Sequence, residues 1–206
     1  MKINLTAKVL IALAILIALF AVWRGMTRFD NDEVADTGIY IEETTGKVLG
    51  TQSGEVTQEQ LPSRLLIPKL NIDAHVQRLG ITDTGNMAAP DNFTDVSWYK
   101  YGSVPGFKGS SVMSGHEDNA ISLDGVFKHL EDLEIGDDVY VVREDGERLH
   151  FKVIDEQIYP YDNSPLERIF NTQDGTYLNL ITCAGDWVPA AKTNDKRLVI
   201  FTQLVE

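Results

Sequence analysis

The chain contains a single cysteine, Cys183. It closes the apolar, β-prone run Leu178-Asn179-Leu180-Ile181-Thr182 and is followed by Ala184-Gly185. The spacing predicts a strand that delivers a thiol at its exit. A thiol so placed is a candidate nucleophile; a small core-filling side chain is the plain alternative. Nucleophilic chemistry at a thiol needs two companions. One is a group that takes and returns protons, and the other is a donor for the negative charge that develops on an attacked carbonyl.

Four histidines are available as the base. His75 lies in the alternating run Ala74-His75-Val76-Gln77 and reads as an exposed strand residue. His129 follows Lys128 on a predicted helix and reads as a surface residue. His150, between Leu149 and Phe151, reads as a strand-pairing position. His116 differs, because the buried-type run Val112-Met113 leads into Ser114-Gly115-His116-Glu117-Asp118. Small residues precede it and acids follow it at a strand exit, which matches the placement predicted for Cys183. Its alternative is a loop histidine paired with Glu117 or Asp118. Candidate anion stabilisers are Lys192, Lys196 and Arg197. Arg197 opens the run Leu198-Val199-Ile200-Phe201 and offers a fixed fork of donors with a permanent charge, so it is preferred. An ordinary ion pair at a strand edge is its alternative.

These residues need a rigid frame, and the chain is long enough to supply one. It has 206 residues, 43% hydrophobic and 24% charged, within the range of globular proteins. From Arg64 onward, short apolar runs alternate with Gly, Pro, Asn and Asp clusters. That pattern predicts strands at 64–67, 74–79, 111–114, 138–143, 149–159, 177–182 and 197–204. Glu144-Asp145-Gly146-Glu147 predicts a hairpin turn between two of them. One helix is predicted from Val126, Phe127, Leu130 and Leu133, and a second, short one near Leu166–Phe170. Many strands with few helices point to a mostly β domain, closed as a barrel or stacked as a sandwich.

Net charge is −13, which argues against nucleic acid as a partner. The first 28 residues run against that balance, with Lys2, Lys8, Arg24 and Arg28 and no acid. Within them, Val9 to Trp23 is unbrokenly apolar and is bracketed by Lys8 and Arg24. This predicts an N-terminal transmembrane helix, with a cleaved signal peptide as the alternative. Val22-Trp23-Arg24 makes a poor cleavage site, which favours the anchor. The positive flanks leave its orientation open. Residues 29–63 read as a polar stalk, with Gly38-Ile39-Tyr40-Ile41 as one short stretch able to form a strand. The predicted organisation is an anchor over 1–28, a stalk over 29–63 and a catalytic domain over 64–206.

In order and spacing, the domain resembles the sortases, a family of membrane-anchored cysteine transpeptidases. The segments that carry the resemblance are Arg64–Asp73, Pro105–His116, Gly125–Leu133 with Gly136–Val141, Leu180-Ile181-Thr182-Cys183, and Arg197-Leu198-Val199-Ile200. Leu180–Cys183 matches most of the family signature Thr-Leu-x-Thr-Cys, with Asn179 in place of its first Thr. Ala184-Gly185 and the stretch from Gly85 to Tyr99 look closest to class F or class E-like sortases. The resemblance implies an eight-stranded sortase-type β-barrel with His116, Cys183 and Arg197 at one groove. No cofactor and no metal are expected; Glu117, Asp118 and Asp124 read as a solvated acidic loop, with a cation site as the alternative. The implied activity is cleavage of a sorting signal such as Leu-Pro-x-Thr-Gly on surface proteins, through a thioacyl enzyme that passes to a cell-wall or protein amine. His116 would serve as acid and base, and Arg197 would position substrate and stabilise the oxyanion. The family also implies an N-in anchor at the cell membrane, with the domain extracytoplasmic. A sortase-like cysteine hydrolase and a non-catalytic surface-binding barrel are the competing functions. The Cys and His are too far apart in sequence for a Ser-His-Gly-Cys cluster, and their order is the reverse of papain-like enzymes.

Overall fold

Apolar residues from Pro62 onward line the staves of a closed barrel. The structure is a computed structural model that describes residues 36–40 (as backbone), 56–118 and 124–205. The predicted anchor lies outside the described residues, among which no helix is long and apolar enough to cross a membrane. Among the described residues there are ten strands: β1 (Asp36–Tyr40), β2 (Pro62–Ile67), β3 (Ile72–Leu79), β4 (Asn86–Ala88), β5 (Val96–Tyr99), β6 (Gly109–Ser114), β7 (Asp138–Arg143), β8 (Arg148–Pro160), β9 (Thr176–Val188) and β10 (Thr193–Leu204). Eight of them close the barrel in the order β10-β8-β7-β2-β3-β5-β6-β9, while β1 pairs with β4 in a separate two-stranded sheet. The strand considered for Gly38–Ile41 is thus present as β1, inside the segment read as a stalk.

All neighbouring pairs in the barrel are antiparallel except two. Strand β3 runs parallel to β5, and β6 runs parallel to β9. The β6–β9 pairing matters for the site, because two parallel strands bring their C-terminal ends to the same rim.

Side chains alternate between the two faces of each strand. Val139 and Val141 of β7, Phe151 and Val153 of β8, Leu178 and Leu180 of β9, and Leu198 and Ile200 of β10 fill the barrel. The opposite faces of β6, β9 and β10 present Val112, Ile181, Val199 and Phe201. These form a second apolar cluster with Tyr99 and Met87 outside the barrel. The five-residue helix α1 (Leu166–Phe170) covers that cluster with Ile169, Leu166 and Phe170.

The helix predicted from Val126 to Leu133 is not an α-helix. The segment is a series of turns ending in the 3-10 helix Leu130–Asp132. Its hydrogen bonds run from Lys128 N–H to the Gly125 carbonyl, from Leu130 N–H to that of Phe127 and from Leu133 N–H to that of Leu130, each spanning three residues. The fully buried side chains, Phe127, Leu130 and Leu133, recur every third residue. That spacing aligns side chains on a 3-10 spiral and drifts on an α-helix. The three join the apolar core of the barrel.

Candidate active site

Cys183 takes its position from strand register. Its Cα lies opposite Arg197 in the antiparallel β9–β10 pair. On the other flank, the parallel β6–β9 register sets Ser114 opposite Ile181. Two residues further along each chain come His116 and Cys183. The register holds past the end of β6, where Gly115 N–H donates to the Ile181 carbonyl (3.2 Å) and Thr182 Oγ1 donates to the Gly115 carbonyl (2.9 Å). Barrel neighbours stand about 5 Å apart, so the thiol is flanked by an imidazole on one side and a guanidinium on the other. Cys183 and Arg197 share strand parity with Ile181 and Val199, which places both on the outer face of the barrel.

Two expectations about strand ends are corrected here. Strand β9 does not stop at Cys183 but continues to Val188, and Arg197 is the fifth residue of β10 rather than its first. The cause is a bulge. Lys196 pairs with Ala184 and Asn194 with Trp187, so Gly185 and Asp186 on β9 face Asp195 alone. Gly185 has φ +77, and a Cβ there would meet Asp195 Oδ1 at 2.1 Å, so glycine alone fits. The glycine that suggested a strand exit therefore bends the strand and lets it continue.

His116 is half-buried, and its Nε2 lies 2.9 Å from the Pro90 carbonyl. A carbonyl only accepts, so Nε2 carries a hydrogen, and Nδ1 is the ring nitrogen left for proton exchange. Phe93 packs on the ring at 4.7 Å between centroids. The loop that supplies Pro90 and Phe93 is pinned in turn. Asp91 N–H donates to Gln77 Oε1, the Asn92 carboxamide oxygen accepts from the N–H groups of Thr94 and Asp95, and Val126 N–H donates to the Phe93 carbonyl. Behind His116, the Ser97 hydroxyl donates to the Ala88 carbonyl (2.9 Å), so the Ser114 hydroxyl supplies the hydrogen between the two serines (2.7 Å).

A cleft of about 20 Å³, room for about one water, is lined by Ala89, Ser114, Gly115, His116, Ile181, Thr182 and Cys183. Imidazole and thiol thus share one small space.

Arg197 is completely buried. Its Nη1 donates to the carbonyls of Asn194 (2.9 Å) and Lys196 (2.7 Å), and its Nη2 donates to Thr193 Oγ1 (2.6 Å). Burial pushes the Cys183 thiol above its ordinary value, the Arg197 charge pulls it down, and Glu117 and Asp118 push it up. Glu117 is itself raised by burial, against a stabilising contact from Lys128 at 3.4 Å.

The other histidines stand apart from the cleft. His75 is exposed near Asp95, and His129 is exposed near Asp132. His150 bonds Asp138 at 2.7 Å and stacks on Tyr140. Lys128 lies within 4 Å of both Glu117 and Asp118. Among the described residues, no group of three or more His, Cys, Asp or Glu side chains is placed to hold a metal ion. Asn179, which stands at the signature's first Thr, is buried, and its Nδ2 donates to the Ile169 carbonyl (2.6 Å), tying α1 to the barrel. Three contributors to the site escape sequence reasoning. The Pro90 carbonyl carries no side-chain signal, and Phe93 sits in a polar loop. Thr193 is visible only once β10 is known to begin there, at even spacing from Arg197.

The family profile of the sortase domain matches residues 65–205, and the chain belongs to the sortase family, whose members are cysteine transpeptidases. Solved structures agree with the fold. A sortase C1 from Streptococcus agalactiae superposes with TM-score 0.55 at 22% identity, covering 74% of this chain and 71% of that one. A sortase C-1 from Actinomyces oris gives 0.52 at 22% identity, covering 69% and 72%. A Clostridium perfringens sortase D5 transpeptidase gives 0.53 at 13%, covering 70% and 79%. In another S. agalactiae sortase C1 structure the chain spans 66% of its neighbour's length. No curated protein sequence matches the chain significantly.

Proposed function

We propose that this protein is a membrane-anchored transpeptidase that cleaves a Leu-Pro-x-Thr-Gly-like sorting signal on surface proteins and joins the freed acyl group to an amine of the cell wall or of another protein. The supporting observation is the flanking of Cys183 by Arg197 and His116 through two separate strand registers. In this reading His116 Nδ1 takes the Cys183 proton as the sulfur attacks the Thr carbonyl carbon, and Arg197 stabilises the negative charge on its oxygen. His116 then gives a proton to the departing amine as the peptide C–N bond breaks, which leaves a thioester on Cys183. An incoming amine attacks the thioester, loses a proton to His116 and expels the sulfur. Substrate approach reorients guanidinium donors that now serve the carbonyls of Asn194 and Lys196.

Because burial favours the uncharged thiol, the nucleophilic thiolate is the minor form at neutral pH. The thiolate fraction therefore grows toward alkaline pH. The anchor over residues 1–28, inserted N-in, holds the domain on the outer side of the cell membrane. The stretch from Gly85 to Tyr99 supports a class F or class E-like specificity.

Cleavage of a peptide library with mass readout, with and without an added amine, tests the proposal. Cleavage at one motif, diversion of the product to an amide by the amine, and loss of both in Cys183→Ala are expected. An active Cys183→Ala variant refutes the thiol mechanism, and a product that stays a carboxylic acid at high amine makes the protein a hydrolase.

A further inference from the structure

A second cavity, of about 190 Å³, is lined by Ile154, Arg168, Thr172, Tyr177, Asn179 and Phe201. It shares no lining residue with the cleft at Cys183. Asn179 and Phe201 are a cross-strand pair of β9 and β10, four residues along from the Cys183–Arg197 pair, or about 13 Å. Ile181 and Val199, which lie between, are buried in the cluster that α1 covers, and this sets the cavity apart from the thiol. A bulge opens it. Phe201 pairs with Asp155 and Thr202 with Val153, so Ile154 is an extra residue of β8 with no partner on β10. A void of about 150 Å³ is enough for a benzene ring, so a small organic molecule fits this one.

The polar groups of the lining define what would fit. The Ile169 carbonyl accepts from Asn179 Nδ2 at 2.6 Å, which fixes the orientation of the carboxamide. Asn179 is 1% exposed, and among the described residues its Oδ1 has no hydrogen-bond partner. A buried acceptor in that state calls for a donor. The neighbouring hydroxyls do not supply one. Thr172 donates its hydrogen to the Arg168 carbonyl (2.9 Å), and Tyr177 donates its own to Asp174 (3.0 Å). The one charged group of the lining is Arg168. Its guanidinium lies over the Phe201 ring and donates to Tyr159 Oη and to Asp155, a use of two among the five N–H hydrogens of an arginine.

We infer that this cavity is a binding site for a neutral carboxamide on a small apolar frame, its N–H donating to Asn179 Oδ1 and its carbonyl accepting from Arg168. Charge selects against the alternatives. A carboxylate has no hydrogen to give Asn179, and Asp155 already balances the Arg168 charge. An ammonium could donate to Asn179 but would be brought up against the guanidinium. A hydrocarbon would leave the buried oxygen as it stands. The amide alone offers a donor and an acceptor without a charge, and Ile154, Phe201 and the Tyr177 ring give its frame apolar walls.

The test is a titration of the ¹⁵N-labelled full chain with benzamide, benzoate and benzylamine, followed by the backbone amide signals of Thr172, Tyr177, Asn179 and Phe201. Benzamide is expected to shift these signals saturably with a Kd of about 1–10 mM, the range for a ligand of this size. Benzoate and benzylamine are each expected to bind about tenfold more weakly or worse. Asn179→Leu keeps the volume and removes the acceptor, so benzamide should bind it about tenfold more weakly. Arg168→Met removes the guanidinium and leaves Asp155 in place, so benzylamine should then bind more tightly than benzamide. No saturable shift at about ten times the expected Kd, shifts confined to other residues, or equal affinity for the three probes overturns the site and makes the cavity a merely hydrated one. So does wild-type affinity in a folded Asn179→Leu protein. If a thermal melt shows that Asn179→Leu does not fold, Arg168→Met decides, and an unchanged ranking of the probes there overturns the inference. None of these measurements uses a peptide substrate, so the site stands or falls independently of the library assay.

Discussion

Gly125 gives a sharp prediction, because it touches the site without belonging to it. Its N–H donates to the Glu117 carbonyl (2.8 Å), while the His116 carbonyl accepts from Phe127 N–H (2.9 Å). A Cβ at position 125 would lie 2.2 Å from the His116 carbonyl oxygen, 2.6 Å from its carbon and 2.9 Å from the His116 Cβ. All three atoms belong to the residue proposed as acid and base, and two are main chain that cannot rotate away. Gly125→Ala therefore requires the His116 backbone to retreat by about 1 Å to reach ordinary contact. A misplacement of that size at a reacting group costs on the order of a hundredfold in rate, or about 2.7 kcal/mol of barrier. The loss should fall in kcat rather than KM, since the substrate surface is untouched. The assay is steady-state cleavage of the peptide that the library selects, beside a thermal melt and Cys183 alkylation. A well-folded Gly125→Ala protein with kcat within twofold of wild type would refute the placement of His116 by this contact.

Arg197→Lys keeps the charge but cannot serve three acceptors with a planar fork. Cleavage should fall about a hundredfold or more while the fold is retained, and a rate within threefold of wild type would remove Arg197 from the mechanism. Asn179→Ala leaves the buried Ile169 carbonyl without its donor, so urea unfolding should show a loss of about 1–3 kcal/mol; an unchanged midpoint would mean that α1 is held by its apolar contacts alone. Asp137, Asp138 and Asp155 are held below the usual carboxylate range by Lys69, by Lys152 with His150, and by Arg168 respectively. Depressed carboxyl values contribute stability above the unfolded value of about 3.9 that is lost as pH falls through the folded ones. Melting temperature should accordingly hold from neutral pH to about pH 5 and drop below about pH 4, with a smaller drop in Asp155→Asn.

Sequence patterns revealed the barrel wherever a strand has one buried and one open face. Asp138–Arg143 alternates buried and half-buried along its whole length, and its predicted bounds match the observed ones. Val96–Tyr99 shows no alternation because all four residues are buried, packed inside by the barrel and outside by the second cluster, and it escaped recognition as a strand. The three-residue spacing of Phe127, Leu130 and Leu133 is compatible with an α-helix in sequence and decides for a 3-10 spiral only once burial is known. At the site, residue chemistry singled out Cys183, His116 and Arg197. Register, which no linear motif encodes, determines that Cys183 stands between the other two. The Pro90 carbonyl and the Thr193 hydroxyl depend on where loops and bulges place ordinary groups, and their residue types give no warning.

The parallel pairing of β6 with β9 also bears on when the site comes into being. The Thr182–Gly115 hydrogen bond joins residues 67 positions apart, with β7, β8 and α1 in the chain between them. Such pairings are slow, because the entropy of closing the loop is lost before the contacts that reward it are made. Cys183 therefore spends the folding process as an ordinary thiol. In the proposed mechanism its reactivity arrives only with barrel closure, when Arg197 and His116 come to flank it.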